Sequence, residues 1–144
     1  MVTLQKAAKE DIDIFYSWQK HPLTRKYFLN NSIPTYAEHC AWMNNTLKSK
    51  DILMYTIKYG NRKVGSIRLN LNDRNKARVS ILLSPREYGK GFAYNGLEAA
   101  LALHKEFEFE AFIHIDNKAS KDLFMKCGFI QVEKTKYIKK VESE

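Results

Sequence analysis

The sequence predicts an α/β protein in which one mixed β-sheet carries helices on both of its faces. Three observations predict it. The apolar residues switch between the three-and-four spacing of helices and the two-residue spacing of strands. Three strand-like segments follow one another between residues 52 and 84, separated by turn residues. A long helical segment, a strand and another helix then alternate, a pattern foreign to an all-β barrel.

Leu4 to Ala7 reads as the first strand. Asp11 stands as the N-cap of a helix with Ile12, Phe15 and Trp18 on one face. The His21-Pro22 step closes that helix, because the residue before proline is pushed out of helical geometry. Thr35 with Glu38 three residues later has the pattern of a capping box, opening a second helix with apolar positions Ala41, Trp42 and Leu47. Residues 52–59 and 63–71 read as two strands joined by Gly60-Asn61-Arg62, which is hairpin chemistry. After the turn signal Asn72-Asp73-Arg74-Asn75, a third strand spans Ala77 to Ser84. From about Gly91 to Phe107 the residues Ala93, Leu97, Ala100, Leu101 and His104 are spaced for a helix. Ala111 to Ile115 is a short strand, Lys118 to Cys127 a helix, and Phe129 to Val141 a final strand or hairpin. Gly128 stands where a helix end needs a residue tolerant of positive φ. The predicted order is β-α-α-β-β-β-α-β-α-β.

The 144 residues suit one domain spanning 1–144, with no repeat, linker or low-complexity segment to divide them. No stretch approaches the roughly 20 apolar residues of a membrane helix, and Met1-Val2-Thr3-Leu4-Gln5-Lys6 lacks a signal-peptide core. A cytoplasmic protein without a membrane partner is expected. Cys40 and Cys127 form no CxxC and read as reduced thiols; four scattered histidines make no metal-ligand pattern, so no metal is expected. The net charge is +8. Nucleic acid, an anionic membrane surface or a phosphate-rich small ligand would each exploit it. The basic residues are spread along the chain without a nucleic-acid-binding signature, so a nucleic-acid partner is not expected.

The segment Ile81-Leu82-Leu83-Ser84-Pro85-Arg86-Glu87-Tyr88-Gly89-Lys90-Gly91-Phe92-Ala93 is the most informative. An apolar strand ends at proline, a loop holds two glycines, and a helix begins at once. Free N–H groups at a helix N-terminus attract an anion, and glycine lets a phosphate come close to the main chain. Arg86 and Lys90 add full charges. The spacing is neither GxxxxGK[ST] nor GxGxxG, which excludes a nucleoside-triphosphate loop and a dinucleotide fingerprint. A tight turn whose glycines only permit the backbone path is the competing reading.

Arg86-x-x-Gly89-x-Gly91-x-Ala93 resembles the Q/R-x-x-G-x-G/A signature of GNAT acetyltransferases. Asn117-Lys118-Ala119-Ser120-Lys121-Asp122-Leu123-Phe124-Met125-Lys126-Cys127-Gly128-Phe129 is similar to that family's second segment, N-x-x-A/S-x-x-x-Y/F-x-K-x-G-F. The resemblance implies a GNAT-like fold with a splayed central strand pair and an N-acetyltransferase that uses acetyl-CoA. It implies that Ile81, Leu82 and Leu83 pair with the pantetheine arm. The pyrophosphate would rest on Gly89, Lys90, Gly91, Phe92, Ala93 and Tyr94, with Arg86 beside it. Asn117, Phe124 and Lys126 would flank the cofactor. Asn117 also suits a helix cap, and Lys126 a solvated helix face.

Direct transfer to an amine needs a proton acceptor, stabilisation of the thioester oxygen and a proton for the departing thiolate. Where many family members have a tyrosine donor this chain has Phe124, and where many have a glutamate base it has Phe112. His114, two residues beyond Phe112 on the expected strand, is the candidate base, since its ordinary pKa is near 6.5. Tyr94, Tyr137 and Ser84 are candidate donors. A water chain without a dedicated base is the alternative.

The phenylalanine form of the second segment resembles a branch acting on nucleotide-linked amino sugars. Trp18-x-x-His21-Pro22-x-x-Arg25 is similar to a pattern of that branch and of ribosomal-protein acetyltransferases. Trp18, His21 and Arg25 are therefore candidate acceptor contacts, although Trp18 continues the apolar face of the first helix and suits a core position, and the expected partner is a small-molecule amine such as a nucleotide sugar. A protein or peptide acetyltransferase and a CoA-binding module without catalysis are the alternatives. Sheet-edge homodimers occur in the superfamily, but no residue here argues for one.

Overall fold

The computed structural model describes residues 1–28 and 32–141. Strand β1 (Thr3–Lys6) leads through a 3₁₀ turn at Lys9–Asp11 into helices α1 (Ile12–Gln19), α2 (Pro22–Arg25) and α3 (Tyr36–Lys48). Strands β2 (Ile52–Tyr59), β3 (Arg62–Leu71) and β4 (Lys76–Leu83) form a meander. Helix α4 (Phe92–Leu103), strand β5 (Glu108–Phe112), helix α5 (Lys118–Lys126) and strands β6 (Ile130–Gln131) and β7 (Lys136–Lys139) complete the chain. The sheet order is β1-β2-β3-β4-β5-β7-β6. Among the described residues only β4 and β5 are parallel neighbours, and α4 supplies the crossover that a parallel pair requires. This is the mixed α/β sheet expected from the sequence.

The turns follow local chemistry. Gly60 closes the β2–β3 hairpin at φ 61°. At the β3–β4 turn the Asn72 carboxamide oxygen accepts from the N–H groups of Arg74 and Lys76 at 2.9 and 3.1 Å, and Asn75 takes φ 57°. The Thr35–Glu38 capping box forms in both directions, at 3.1 and 2.8 Å.

One sheet face packs Ile57, Val64, Ile67, Leu69 and Val79 against Leu97, Ala100 and Leu101 of α4 and Phe124 of α5. The other face carries a smaller core of Ala7, Ile12, Phe15, Trp18 and Met43 under α1 and α3. The sheet thus has helices on both sides.

Several expected details differ. Asp11 stands at the N-cap position of α1 as expected, but its carboxylate turns from the helix: it accepts from Ala8 N–H at 2.9 Å and pairs with Lys63 at 2.6 Å, tying the 3₁₀ turn to β3. Helix α3 buries His39, Met43 and Thr46 and leaves Ala41 and Trp42 exposed. A histidine holds the buried face because its Nε2 donates to the Ile12 carbonyl at 2.9 Å. Helix α4 stops at Leu103, since His104 leaves helical geometry and bonds Tyr55 Oη at 2.7 Å. Strand β5 starts three residues earlier than expected. Phe109 and Ala111 alternate into the core, while Glu108 and Glu110 find Lys76, Arg78 and Lys136 on neighbouring strands at 3.3, 4.0 and 3.7 Å. The short helix α2, capped by His21, had no signal beyond its proline.

Candidate active site

The site begins where two strands part. Strands β3 and β4 pair along their length, from Leu71–Ala77 to Gly65–Leu83. Strands β4 and β5 pair only over Lys76–Arg78 against Glu108–Glu110. Beyond that, β5 keeps company with β7: Ile113 N–H donates to the Thr135 carbonyl at 2.8 Å. Ser84 N–H donates to the Val64 carbonyl of β3 at 2.9 Å. By the alternation of a ladder, the main-chain groups of Ile81 and Leu83 therefore face the opposite side, into the opening that β5 leaves.

The loop after β4 delivers a second set of open donors. Pro85–Glu87 form a 3₁₀ turn, and Gly89 and Gly91 take φ 79° and 83°. Gly91 is the N-cap of α4, with no side chain capping it. The first intrahelical bond runs from Asn95 N–H to Gly91 carbonyl at 3.1 Å, so the N–H groups of Phe92, Ala93 and Tyr94 lack helical acceptors. A Cβ built on Gly89 or Gly91 would meet nothing within 4 Å, which leaves room for a ligand over these amides.

Buried Glu87 holds the loop to the sheet. It accepts from Arg62 Nε at 2.9 Å and from Lys90 Nζ at 2.8 Å. The Lys90 hydrogen bond, reinforced by the Arg62 charge, holds the Glu87 carboxyl below the usual range against the upward pull of burial. The Lys90 ammonium is thus engaged by Glu87, whereas Arg86 is exposed. The Phe92 ring packs in the core against Tyr59 at 5.0 Å, so only its main chain faces the loop.

On the α1–α3 face, two adjoining cavities of about 190 and 360 Å³ share Gln19, His39, Trp42 and Arg68. The smaller also touches Ser66, Ser80, Ile81 and Leu82, and so opens beside the unpaired half of β4. The Arg68 guanidinium lies over the Trp42 ring at 5.0 Å. His39, whose Nε2 donates to the Ile12 carbonyl, lines both cavities.

Residues 2–130 match the family model of the acetyltransferase (GNAT) domain. The chain belongs to the GNAT acetyltransferases. Solved structures of similar fold include an acetyltransferase from Thermus thermophilus at TM-score 0.83 and 17% identity, over 97% of each chain. Spermidine N-acetyltransferase from Vibrio cholerae, in complex with CoA and spermine, follows at TM-score 0.83 and 16% identity, over 95% of this chain and 91% of its own. Aminoglycoside acetyltransferase AAC(6')-Ib in complex with coenzyme A has TM-score 0.80 and 15% identity, over 97% and 95%. No curated protein matches the chain in sequence.

Within this GNAT fold the residues expected from sequence scatter. Asn117 caps α5, its side chain accepting from Ser120 N–H at 3.2 Å. Phe124 lies in the core, edge-on to Phe129 at 5.0 Å. Lys126 projects its ammonium over the half-buried Tyr94 ring at 4.4 Å. Tyr137, 1% exposed, is a core side chain on β7. His114 lies past the end of β5, and its Nδ1 accepts from Asp116 N–H at 3.1 Å. The Asp116 carboxylate lies 3.8 Å from the same nitrogen, so Nδ1 is engaged within its own loop.

The acceptor side differs most. Trp18 packs against Phe15 at 5.5 Å in the second core, because it continues the apolar face of α1. His21 Nδ1 accepts from Leu23 N–H at 3.2 Å. Arg25 donates to the Ser32 carbonyl at 2.7 Å and covers Phe28, at the edge of the groove. The lining residues Gln19, His39, Trp42 and Arg68 were missed. One signal existed: the alternation Ser66, Arg68, Asn70 puts a polar row on one face of a central strand.

Proposed function

We propose that this chain transfers the acetyl group of acetyl-CoA directly to a primary amine of a small molecule, with a nucleotide-linked amino sugar as the acceptor class. The observation that carries the reading is the alignment of two sets of open main-chain donors: Ile81 and Leu83 in the strand opening, and the uncapped start of α4 across the Gly89–Gly91 bend. A strand edge suits the amides of a pantetheine arm, and a helix N-terminus suits a pyrophosphate. CoA in the solved neighbours supports the same reading.

In this reading Ile81, Leu82 and Leu83 hold the arm, residues Gly89 to Tyr94 receive the diphosphate on main-chain N–H groups, and Arg86 adds charge at the rim. Asn117 and Lys126 border the cofactor from α5. The neutral amine nitrogen bonds to the acetyl carbon and gives up one proton to water, the carbon–sulfur bond breaks, and the thiolate takes up a proton. Main-chain N–H groups of the β4 opening stabilise the developing oxyanion. Tyr94, in the first turn of α4, is the donor candidate that lies by the loop. The acceptor enters along the α1–α3 groove, and its diphosphate suits the +8 surface.

Calorimetry with acetyl-CoA and release of free CoA with UDP- and dTDP-linked 4-amino sugars, spermidine and N-terminal peptides test this. Saturable binding, with turnover of the sugar-linked amines, is expected. Well-folded protein that takes up no acetyl-CoA would remove the reading.

A further inference from the structure

Among the described residues the groove holds a cation without an anion. Arg68 projects from the middle of β3 into both cavities, and burial, together with the nearby Arg78 charge, disfavours its protonated form. Its Nε donates to Asn70 Oδ1 at 2.9 Å and Nη2 reaches Ser80 Oγ at 3.5 Å, both neutral acceptors. Among the described residues no carboxylate lies within ion-pair distance of it, and Nη1 has no acceptor. Glu38, on the wall of the larger cavity, is turned to the α3 N-terminus, where it accepts from Thr35 N–H at 2.8 Å. The Trp42 ring beside the guanidinium attracts it but does not neutralise it. A partly desolvated guanidinium is costly unless an anion completes it, and its fork matches a carboxylate or a phosphate.

A second polar atom is also incomplete. Gln19 Oε1 is buried in the lining of the same groove and has no donor among the described residues. Buried acceptors of this kind are normally satisfied. The groove therefore offers one unmatched cation and one unmatched acceptor on opposite elements, β3 and α1.

We infer that the acceptor amine carries an oxyanion, a carboxylate or a phosphate, that Arg68 binds, and that Gln19 takes a hydrogen bond from an amine or hydroxyl of the same molecule. The inference rests on the reading that acetyl transfer occurs beside this groove. It makes Arg68 the specificity-determining residue and disfavours polycationic amines.

The test uses matched acceptors: glucosamine 6-phosphate against glucosamine, β-alanine against β-alaninamide, and spermidine as the polycation. Release of free CoA gives kcat/KM, and calorimetry on CoA-loaded protein, whose diphosphate loop is already filled, gives binding without turnover. The phosphate and carboxylate pairs separate the two oxyanion sources. At least one anionic member is expected to exceed its neutral partner by about ten-fold or more. Arg68→Gln is expected to erase that preference while acetyl-CoA affinity stays within about two-fold, and Arg68→Lys to retain part of it, since lysine keeps the charge without the fork. A neutral member or spermidine that is used equally well or better overturns the inference, as does a preference that survives Arg68→Gln. Failure of every anionic member to bind the CoA-loaded protein overturns it too. Loss of acetyl-CoA binding in the wild-type protein would instead overturn the acetyl-transfer reading itself.

Discussion

Gly91 and Gly60 make a matched experiment. Both take positive φ, 83° and 61°, and at both an added Cβ would meet nothing within 4 Å. Substitution by valine therefore costs backbone strain at each, without a clash. Left-handed geometry costs an L-residue about 1–2 kcal/mol, and a branched side chain lies at the upper end. Each variant is expected to melt about 3–8 °C below wild type, with the fold retained. Their effects on acetyl-CoA diverge. The Gly60 side chain would stand in open space at the tip of the β2–β3 hairpin, whose Tyr59 and Arg62 reach Phe92 and Glu87 through their side chains, whereas that at Gly91 would stand over the open amides of α4. Charge-assisted hydrogen bonds to those amides contribute about 1.5–3 kcal/mol each. Losing even one lowers affinity at least about ten-fold, and losing two abolishes measurable binding at ordinary concentrations. Scanning calorimetry gives the stability term and isothermal titration the affinity. Gly91→Val that binds acetyl-CoA as tightly as Gly60→Val would refute the assignment of the diphosphate to this loop.

Glu87→Gln removes the charge that Arg62 and Lys90 share. Because the folded carboxyl titrates below its ordinary value, its stabilisation is full above the usual carboxylate range and disappears as pH falls through the folded value. The melting difference between wild type and variant is thus expected to be greatest near neutrality and to vanish in acid. A difference that grows on acidification would contradict the ion-pair geometry. The two thiols should differ sharply. Burial raises the Cys127 pKa to about 12, so a disulfide reagent at mild alkaline pH is expected to modify partly exposed Cys40 first and Cys127 only on unfolding. Mass mapping of labelled peptides checks this. His114→Ala is expected to leave the pH profile of turnover unchanged, because the Nδ1 lone pair already accepts from Asp116. Loss of an ionisation near pH 6.5 in that variant would restore His114 as the base.

Features set by neighbouring residues could be read from the sequence directly. The Thr35–Glu38 box, the Gly60 hairpin, the glycine loop before α4 and Gly128 at the end of α5 each depend on a few consecutive residues whose own φ preferences and side-chain oxygens dictate the geometry. Strand boundaries with charges inside them were harder. Glu108 and Glu110 look unsuited to a central strand until Lys76, Arg78 and Lys136 stand beside them.

The family, the mixed sheet and the glycine loop were legible in the order of residues, because all three are written in local pattern: alternation, helical spacing and two glycines at fixed distance. The groove between α1, α3 and β3 was not, and it took the packed chain to reveal it. Gln19, His39, Trp42 and Arg68 come from α1, α3 and β3, which are far apart in the chain and meet only when two helices pack across one face of the sheet. Packing likewise made Tyr137 a core residue, since burial depends on what the rest of the chain lays over a side chain.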